Sequence, residues 1–268
     1  VRIIVCIKQV PDTTEVAIDE EKGVLRREGV DSRMNPYDLY ALETALRIKE
    51  QIGAEVIVLS MGPKQAEDVI KQAYYMGADS GYLLSDRKFA GADTLATAYT
   101  LALGVKKIGD FDLIITGMQT TDGDTAQVGP AVAEFLNLPH ISYVKEIQKV
   151  AEDQLIVKTD MQDAIETQKV VLPALITVAK EIYQPRLISY KLKLRAKDRN
   201  ICVWSYSDLV EVKGLLNDET EFFGLTGSPT QVERIFAPTR NSTKEIWEDQ
   251  PDVLAEKAIS KLKELKIL

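Results

Sequence analysis

The chain has 268 residues, 45% of them apolar, with 41 acidic side chains against 33 basic ones and a formal net charge of -8. That length buries one sizeable core, and the acidic balance excludes a protein built to hold a phosphate backbone, so no nucleic-acid partner is expected. Two distant cysteines, Cys6 and Cys202, exclude a disulfide framework or a zinc or iron-sulfur spacing, and a single histidine, His140, excludes metal sites built on several imidazoles.

Ile3 to Ile7 is a continuous apolar run, as expected of a strand buried on both faces of a parallel sheet. Val1 to Ile7 is too short for a signal-peptide core, no apolar run approaches the roughly 20 residues that span a bilayer, and a cytoplasmic protein with no membrane partner is expected. Glu15 to Arg27 reads as a small hairpin turning at Glu20 to Gly23. Asn35-Pro36 sets a capping residue before a proline, Leu39, Leu42 and Leu46 follow at helical spacing, and Gly53 stops the helix. Then the pattern repeats. Strands are expected over 55–60, 81–84 and 113–116, and helices over 64–76, 92–108 and 124–136. Such alternation means a mostly parallel, doubly wound α/β sheet with helices on both faces.

A strand is expected to open at His140, which is read as structural, and further strands over 155–159, 169–172 and 174–178 include antiparallel ones at the sheet edge. From about Pro185 the alternating Lys191, Lys193, Arg195, Lys197 and Arg199, followed by glycine and proline breaks, read as an extended arm. Pro251 opens an amphipathic helix with Leu254, Ala258, Leu262 and Leu265 on one face, which either folds back on its own domain or docks on a partner. The expected division is an α/β domain over 1–190 and an arm with its helix over 191–268.

Open α/β sheets bind ligands beyond the carboxyl ends of their strands, where strand order reverses. Three segments fall there: Cys6-Ile7-Lys8-Gln9-Val10-Pro11, Ser60-Met61-Gly62-Pro63, and the stretch from Thr116 to Pro130. In the last, Gly117 and Gly123 permit close backbone approach, and Asp124 or Thr125 is expected to open a helix whose free N–H groups suit a phosphate. There is neither a GxGxxG nor a P-loop. Weighed alone, Asp122 and Asp124 are more often helix-capping carboxylates than functional ones, Lys8 is a phosphate contact or a solvated lysine, and Gly62 and Gly117 serve turn chemistry or ligand approach.

At these segments the sequence resembles the electron-transfer flavoprotein beta family. The matching pieces are Val5 to Asp12, Met34-Asn35-Pro36-Tyr37-Asp38, Ser60 to Pro63, Met76-Gly77-Ala78-Asp79 and Gly117 to Pro130. The resemblance implies an adenine nucleotide alpha-hydrolase-like fold, a homologous alpha subunit that carries a mobile FAD domain, and a crevice here that holds a structural AMP or a second FAD. Gly91 to Tyr99 and Asp122 to Pro130 resemble the electron-bifurcating branch, which favours FAD; ignoring the resemblance, Asp93 or Thr94 is simply a helix cap.

The resemblance further implies hydride transfer from NADH, with one electron passing to ferredoxin or flavodoxin and the other through the alpha-subunit FAD to a flavin-dependent dehydrogenase. The cofactor residues it implies are Cys6, Ile7, Lys8 and Asn35 toward the adenosine half, Met61 and Gly62, then Asp93, Thr94 and Thr97 toward the ring. To these it adds Gly117, Thr120, Asp122, Gly123, Asp124, Thr125, Ala126, Gln127 and Val128, with the amides of Gly123 to Gln127 around the diphosphate.

Pro185 and Arg186 keep the family's partner loop, but Tyr190 and Lys191 stand where typical members carry a leucine-proline pair, and Asp163-Ala164 replaces a paired glycine. A lactate-oxidising or other FAD-linked hydroxyacid dehydrogenase is thus an alternative to an acyl-CoA dehydrogenase as partner. The competing readings are a non-bifurcating scaffold holding AMP, and an ATP-dependent enzyme of the related nucleotide-binding folds. The second lacks its SGGxDS-like phosphate loop.

Overall fold

The computed structural model describes residues 1–12, 18–19, 24–25, 32–151, 153–161, 163–212, 215, 222–233 and 244–268. Two compact units divide them, Val1–Glu233 and Arg234–Leu268.

In the first unit, β1 (Arg2–Cys6) is followed by β2 (Gln9–Pro11), the short antiparallel pair β3 (Ile18–Asp19) and β4 (Val24–Leu25), and β5 (Ser32–Met34), which pairs with β2. The expected hairpin is present as β3 and β4; its turn at Glu20 to Gly23 lies outside the described residues. Next come α1 (Pro36–Ile52), β6 (Glu55–Met61), a 3-10 turn at Lys64–Ala66, α2 (Glu67–Met76), β7 (Ser80–Leu84) and α3 (Thr94–Ile108). They lead to β8 (Leu113–Gly117), α4 (Val128–Phe135), β9 (His140–Val150), β10 (Gln154–Asp160), β11 (Ile165–Val171) and β12 (Ala174–Val178). The unit's last elements are α5 (Tyr190–Arg195), β13 (Cys202–Trp204) and α6 (Tyr206–Val210).

The main sheet has nine strands in the order β11-β10-β9-β12-β8-β1-β6-β7-β13. All neighbours from β9 to β13 run parallel, while β10 is antiparallel to both β9 and β11. The sheet is the expected mostly parallel one with antiparallel edge strands. Alternation along β1 sorts its side chains to opposite faces: Ile3 and Val5 pack with Leu42 and Leu46 of α1 and Ile70 of α2, and Ile4 and Cys6 with Leu103 of α3 and Val132 of α4. The chain leaves β1 toward β6 and β7, then returns through α3 to β8 on the other side of β1. The strand order therefore reverses between β1 and β8.

Two expectations are corrected. The expected helix over 124–136 begins only at Val128, because Asp124 and Ala126 adopt φ of 52° and 54°, which a right-handed helix does not admit. The expected break at 190/191 does not separate the two units either: β13 pairs with β7 at the sheet edge, and Leu209 of α6 and Phe223 are buried in the core.

In the second unit, α7 (Pro251–Glu264) starts at the expected proline and buries none of its residues within the chain. Among the described residues no helix is long and apolar enough to cross a membrane.

Candidate functional site

The exits of β1 and β8 are tied together by the start of α1. Asn35 occupies the cap position, but its side chain makes no cap bond. Instead its Nδ2 donates to the Gln119 carbonyl (2.9 Å) and its Oδ1 accepts from Thr121 N–H (3.3 Å), while its own N–H donates to the Lys8 carbonyl (2.8 Å). A residue type suited to capping is used across the crevice instead, and the fixed φ of Pro36 starts the helix in its place. One turn on, Asp38 is only 5% exposed and accepts Lys8 N–H at 2.7 Å. Burial raises its carboxyl to about 7, against hydrogen bonds from the Asn35 side chain and the Lys8 and Gly117 amides. A side chain at Gly117 is excluded, since a Cβ there would stand 2.6 Å from Asp38 Oδ1 and 2.7 Å from the Tyr37 carbonyl carbon.

Above this floor, Lys8 Nζ reaches both oxygens of Asp122 (2.8 and 2.7 Å), joining the β1 exit to the loop after β8. Burial would raise the Asp122 carboxyl, but the Lys8 ammonium holds it below the usual range. Gln119 Nε2 donates to Asp124 Oδ1 and to Tyr37 OH, and Asp124 N–H donates to the Thr120 carbonyl (2.9 Å). Gln9 Nε2 donates to the Gln65 carbonyl (3.3 Å), which brings the turn after β6 to the same place. The turns leaving β1, β6 and β8 therefore meet.

Between Asp124 and α4 the backbone alternates in hand. Ala126 has φ 54° and Gln127 is right-handed at φ -108°, ψ -26°, a sequence that turns successive N–H groups to one side. Among the described residues the N–H groups of Thr125, Ala126 and Gln127 donate to no protein acceptor. With the Lys8 ammonium, which is held on Asp122 of the same loop, this donor set fits the diphosphate of a nucleotide. Ser60 Oγ, fully buried near the end of β6, has no hydrogen-bond partner among the described residues.

Of the remaining expected site residues, Cys6 and Ile7 are buried in the core, and burial together with the Asp38 charge pushes the Cys6 thiol up to about 12. Met61 and Gly62 are half-buried, and Gly62 N–H is already used by the Leu84 carbonyl (3.0 Å). Thr120 and Val128 are half-buried beside the exposed Gly123. Asp93 caps α3: its Oδ1 accepts Ala96 N–H (3.0 Å) and its Oδ2 accepts Thr230 Oγ1 (2.7 Å) and N–H (3.0 Å). Thr97 N–H donates to the Asp93 carbonyl (2.9 Å), and Thr94 Oγ1 donates to Gln127 Oε1 (3.2 Å). The start of α3 is thereby brought to the loop before α4.

In the expected docking segment, Tyr190 and Lys191 are exposed and Pro185 half-buried. The Arg186 guanidinium is engaged internally on α1, by Glu43 (2.8 and 3.1 Å) and Glu50 (2.5 and 3.2 Å). Sequence reasoning missed Asp38, Gln119 and Thr230 as members of these networks. Asp38 left a trace as the last residue of the Met34 to Asp38 motif and Gln119 as a member of the Gly117 to Pro130 stretch, whereas Thr230 left none.

A nucleotide-type crevice at a strand-order reversal, on an α/β sheet with antiparallel edge strands, is the class these observations define. The chain belongs to the electron transfer flavoprotein family, whose domain model, Electron transfer flavoprotein domain, matches residues 22–209, and within it to the beta subunits. It is 46% identical over 269 residues, covering 100% of both chains, to the caffeyl-CoA reductase-Etf complex subunit CarD of Acetobacterium woodii. It is 44% identical over 262 residues, 98% of each chain, to the electron transfer flavoprotein subunit beta of Clostridium acetobutylicum. Protein FixA of Azorhizobium caulinodans is 42% identical over 248 residues, 90% of this chain and 86% of that one. Beta subunits of this family have an alpha subunit as partner.

Proposed function

We propose that this beta subunit holds FAD in the crevice between the exits of β1 and β8, takes a hydride from NADH there, and divides the electrons between two acceptors. One is a low-potential carrier, ferredoxin or flavodoxin; the other is a flavin-dependent dehydrogenase reached through the alpha-subunit FAD. The observation that carries the reading is the Thr94–Gln127 hydrogen bond. It sets the polar start of α3 beside the anion-receiving loop, so that one ligand extending from diphosphate to ring spans both. AMP has one phosphate and lacks the flavin ring that would meet Thr94 and Thr97.

The residues of this chain bind and orient. The amides of Thr125 to Gln127 and the Lys8 ammonium receive the diphosphate. Asn35 and the segment Cys6 to Lys8 border the adenosine half, and Asp93, through its cap, fixes the α3 turn whose Thr94 and Thr97 face the ring. Bound there, FAD supplies the two-electron and one-electron chemistry, and the protein supplies position and polarity. The likeness to a subunit of a caffeyl-CoA reductase-Etf complex supports a dehydrogenase partner of the acyl-CoA type; Tyr190 and Lys191 in the docking segment keep a hydroxyacid-type partner as the second reading. In this reading α7 packs on the alpha subunit and the complex is cytoplasmic.

The test is to denature the purified complex and count the nucleotides released per heterodimer. Two FAD and no AMP are expected, one from each subunit. One FAD with one AMP would reduce this chain to a scaffold and end the redox reading.

A further inference from the structure

We infer that Asp38 is a positioning residue of this nucleotide site, a built-in anion that ties the β1 and β8 exits across the strand-order reversal. The tie holds Lys8 and the 119–127 loop facing one volume. This inference rests on the proposed nucleotide site.

Asp38 lies beneath the crevice, not in its mouth. Its carboxyl accepts Lys8 N–H at 2.7 Å from the β1 side and lies against the bare Cα of Gly117 on the β8 side. Its backbone is fixed as well, Asp38 N–H donating to the Asn35 carbonyl at 2.9 Å. The bare Cα of Gly117 admits it, since any Cβ would lie 2.6 Å from its Oδ1. The Lys8 amide at the bottom of the reversal, which an incoming phosphate would otherwise find, is thus already satisfied by protein. The phosphate-receiving donors are consequently displaced outward, to the Lys8 ammonium and the amides of Thr125 to Gln127. Asp38 sets the depth at which a nucleotide sits and the spacing of the two walls that hold it.

A tie of this kind is strongest while the carboxyl is ionised, because a carboxylate accepts an amide hydrogen bond about twice as strongly as the neutral acid. Burial brings its protonation to about pH 7. The groups that face it do not obscure the change. At the β1 exit, Cys6 is pushed up to about 12 and the Lys8 Nζ is paired with Asp122; on the β8 loop, burial would raise Asp122 but its bond to Lys8 holds it low. The Tyr37 hydroxyl accepts Gln119 Nε2. Nucleotide affinity is expected to fall as pH drops through 7.

The experiment uses the full chain in complex with its alpha subunit, wild type and Asp38→Asn. Both are stripped of the beta-chain nucleotide and titrated with FAD between pH 6 and 8, a window in which neither the diphosphate nor the ring of FAD titrates. The wild type should bind about tenfold more weakly at pH 6 than at pH 8, the loss of roughly one charged tie. Asp38→Asn should bind weakly at both pH values, with a flat profile. Circular dichroism and the FAD retained by the alpha subunit report whether the variant is folded, and Asp38→Glu gives partial recovery if position and charge both matter. Equal affinity and equal pH profile in wild type and Asp38→Asn would overturn the inference, as would tighter binding by the variant, which would make Asp38 a repelling charge. A wild type that takes up no nucleotide on the beta chain at any pH would instead sink the proposed function.

Discussion

Asp38 and Glu43 are both buried carboxylates of α1, 5% and 2% exposed, and they are handled in opposite ways. Glu43 meets two guanidinium groups, Arg186 at 2.8 Å and Arg47 at 2.9 Å; burial would raise its carboxyl, but these bonds hold it below the usual range. Asp38 is given amides and no direct cation among the described residues, and its carboxyl rises to about 7. The first arrangement neutralises a charge and fastens the chain after β12 to α1. The second leaves a charge undercompensated at the strand-order reversal, an arrangement that costs stability and is retained where a site needs it. The difference separates a fastening from a site within one helix.

The largest effect should come from breaking the compensated member. Arg186→Ala leaves Glu43 buried with only Arg47, and a loss of about 3 kcal/mol is expected, the low end for a broken buried pair because one partner remains. Denaturant unfolding at pH 7 measures it. Glu43 is shifted down, so its contribution is fully present above the ordinary glutamate value of 4.5 and is lost as pH falls below it. The gap between wild type and Arg186→Ala should therefore close in acid. A gap unchanged at pH 3 would mean that Arg186 acts by packing and not by charge.

Overfilling the site member comes next. Gly117→Ala forces a methyl to 2.6 Å from Asp38 Oδ1 and 2.8 Å from Tyr37 Cβ. About 2 kcal/mol of destabilisation is expected from overpacking against backbone and a fixed carboxyl. The same comparison is sharpened by pH. With Asp38 at about 7 when folded against 3.8 as its ordinary value, the folded chain binds more protons between those limits, so its stability falls as pH rises through them. Asp38→Asn has no such slope. Relative to wild type, the variant should gain about 1–2 kcal/mol between pH 5.5 and 7, from roughly 1.4 kcal/mol per pH unit for one proton. Parallel stability curves for the two proteins would show that Asp38 is already ionised well below 7.

Much of this contrast was hidden in the sequence. Asn35-Pro36 and Gly53 marked α1 because capping chemistry is local, and the alternation of apolar runs with helical spacing marked the parallel sheet. The same local logic misplaced Asn35, whose side chain bonds Gln119 and Thr121, and it lengthened α4. Asp124 and Thr125 carry helix-opening chemistry, but Asp124, held by contacts with Thr120 and Gln119, and Ala126 both take a left-handed backbone that a helix does not admit. Asp38 reads as an acidic residue in a first helical turn, an ordinary complement to the helix dipole. Only its packing against Gly117, far along the chain, makes it buried. β13 is three residues with an exposed Val203, too short for periodicity to reveal. Arg186 was read as a surface contact because its partners Glu43 and Glu50 lie a whole sheet away in sequence.

The smallest stability effect is expected at Lys8, and it bears most directly on the contrast between the two carboxylates. Its ion pair with Asp122 is short, 2.7 Å, but the lysine side chain is 44% exposed, so Lys8→Met should change stability by about 0.5 kcal/mol or less. Lys8 has a second electrostatic role, as the cationic charge that lowers the Asp38 carboxyl from nearby without bonding it. Removing that charge should move the Asp38 midpoint above about 7 while leaving Glu43, which has its own cations, where it is. Carboxyl carbon chemical shifts of the labelled protein, followed against pH, read both residues at once. An upward move at Asp38 alone would establish that Lys8 ammonium and Asp38 carboxylate act as one electrostatic unit. If neither moved, the amides alone would govern Asp38, and Lys8 would remain only a group at the mouth of the crevice.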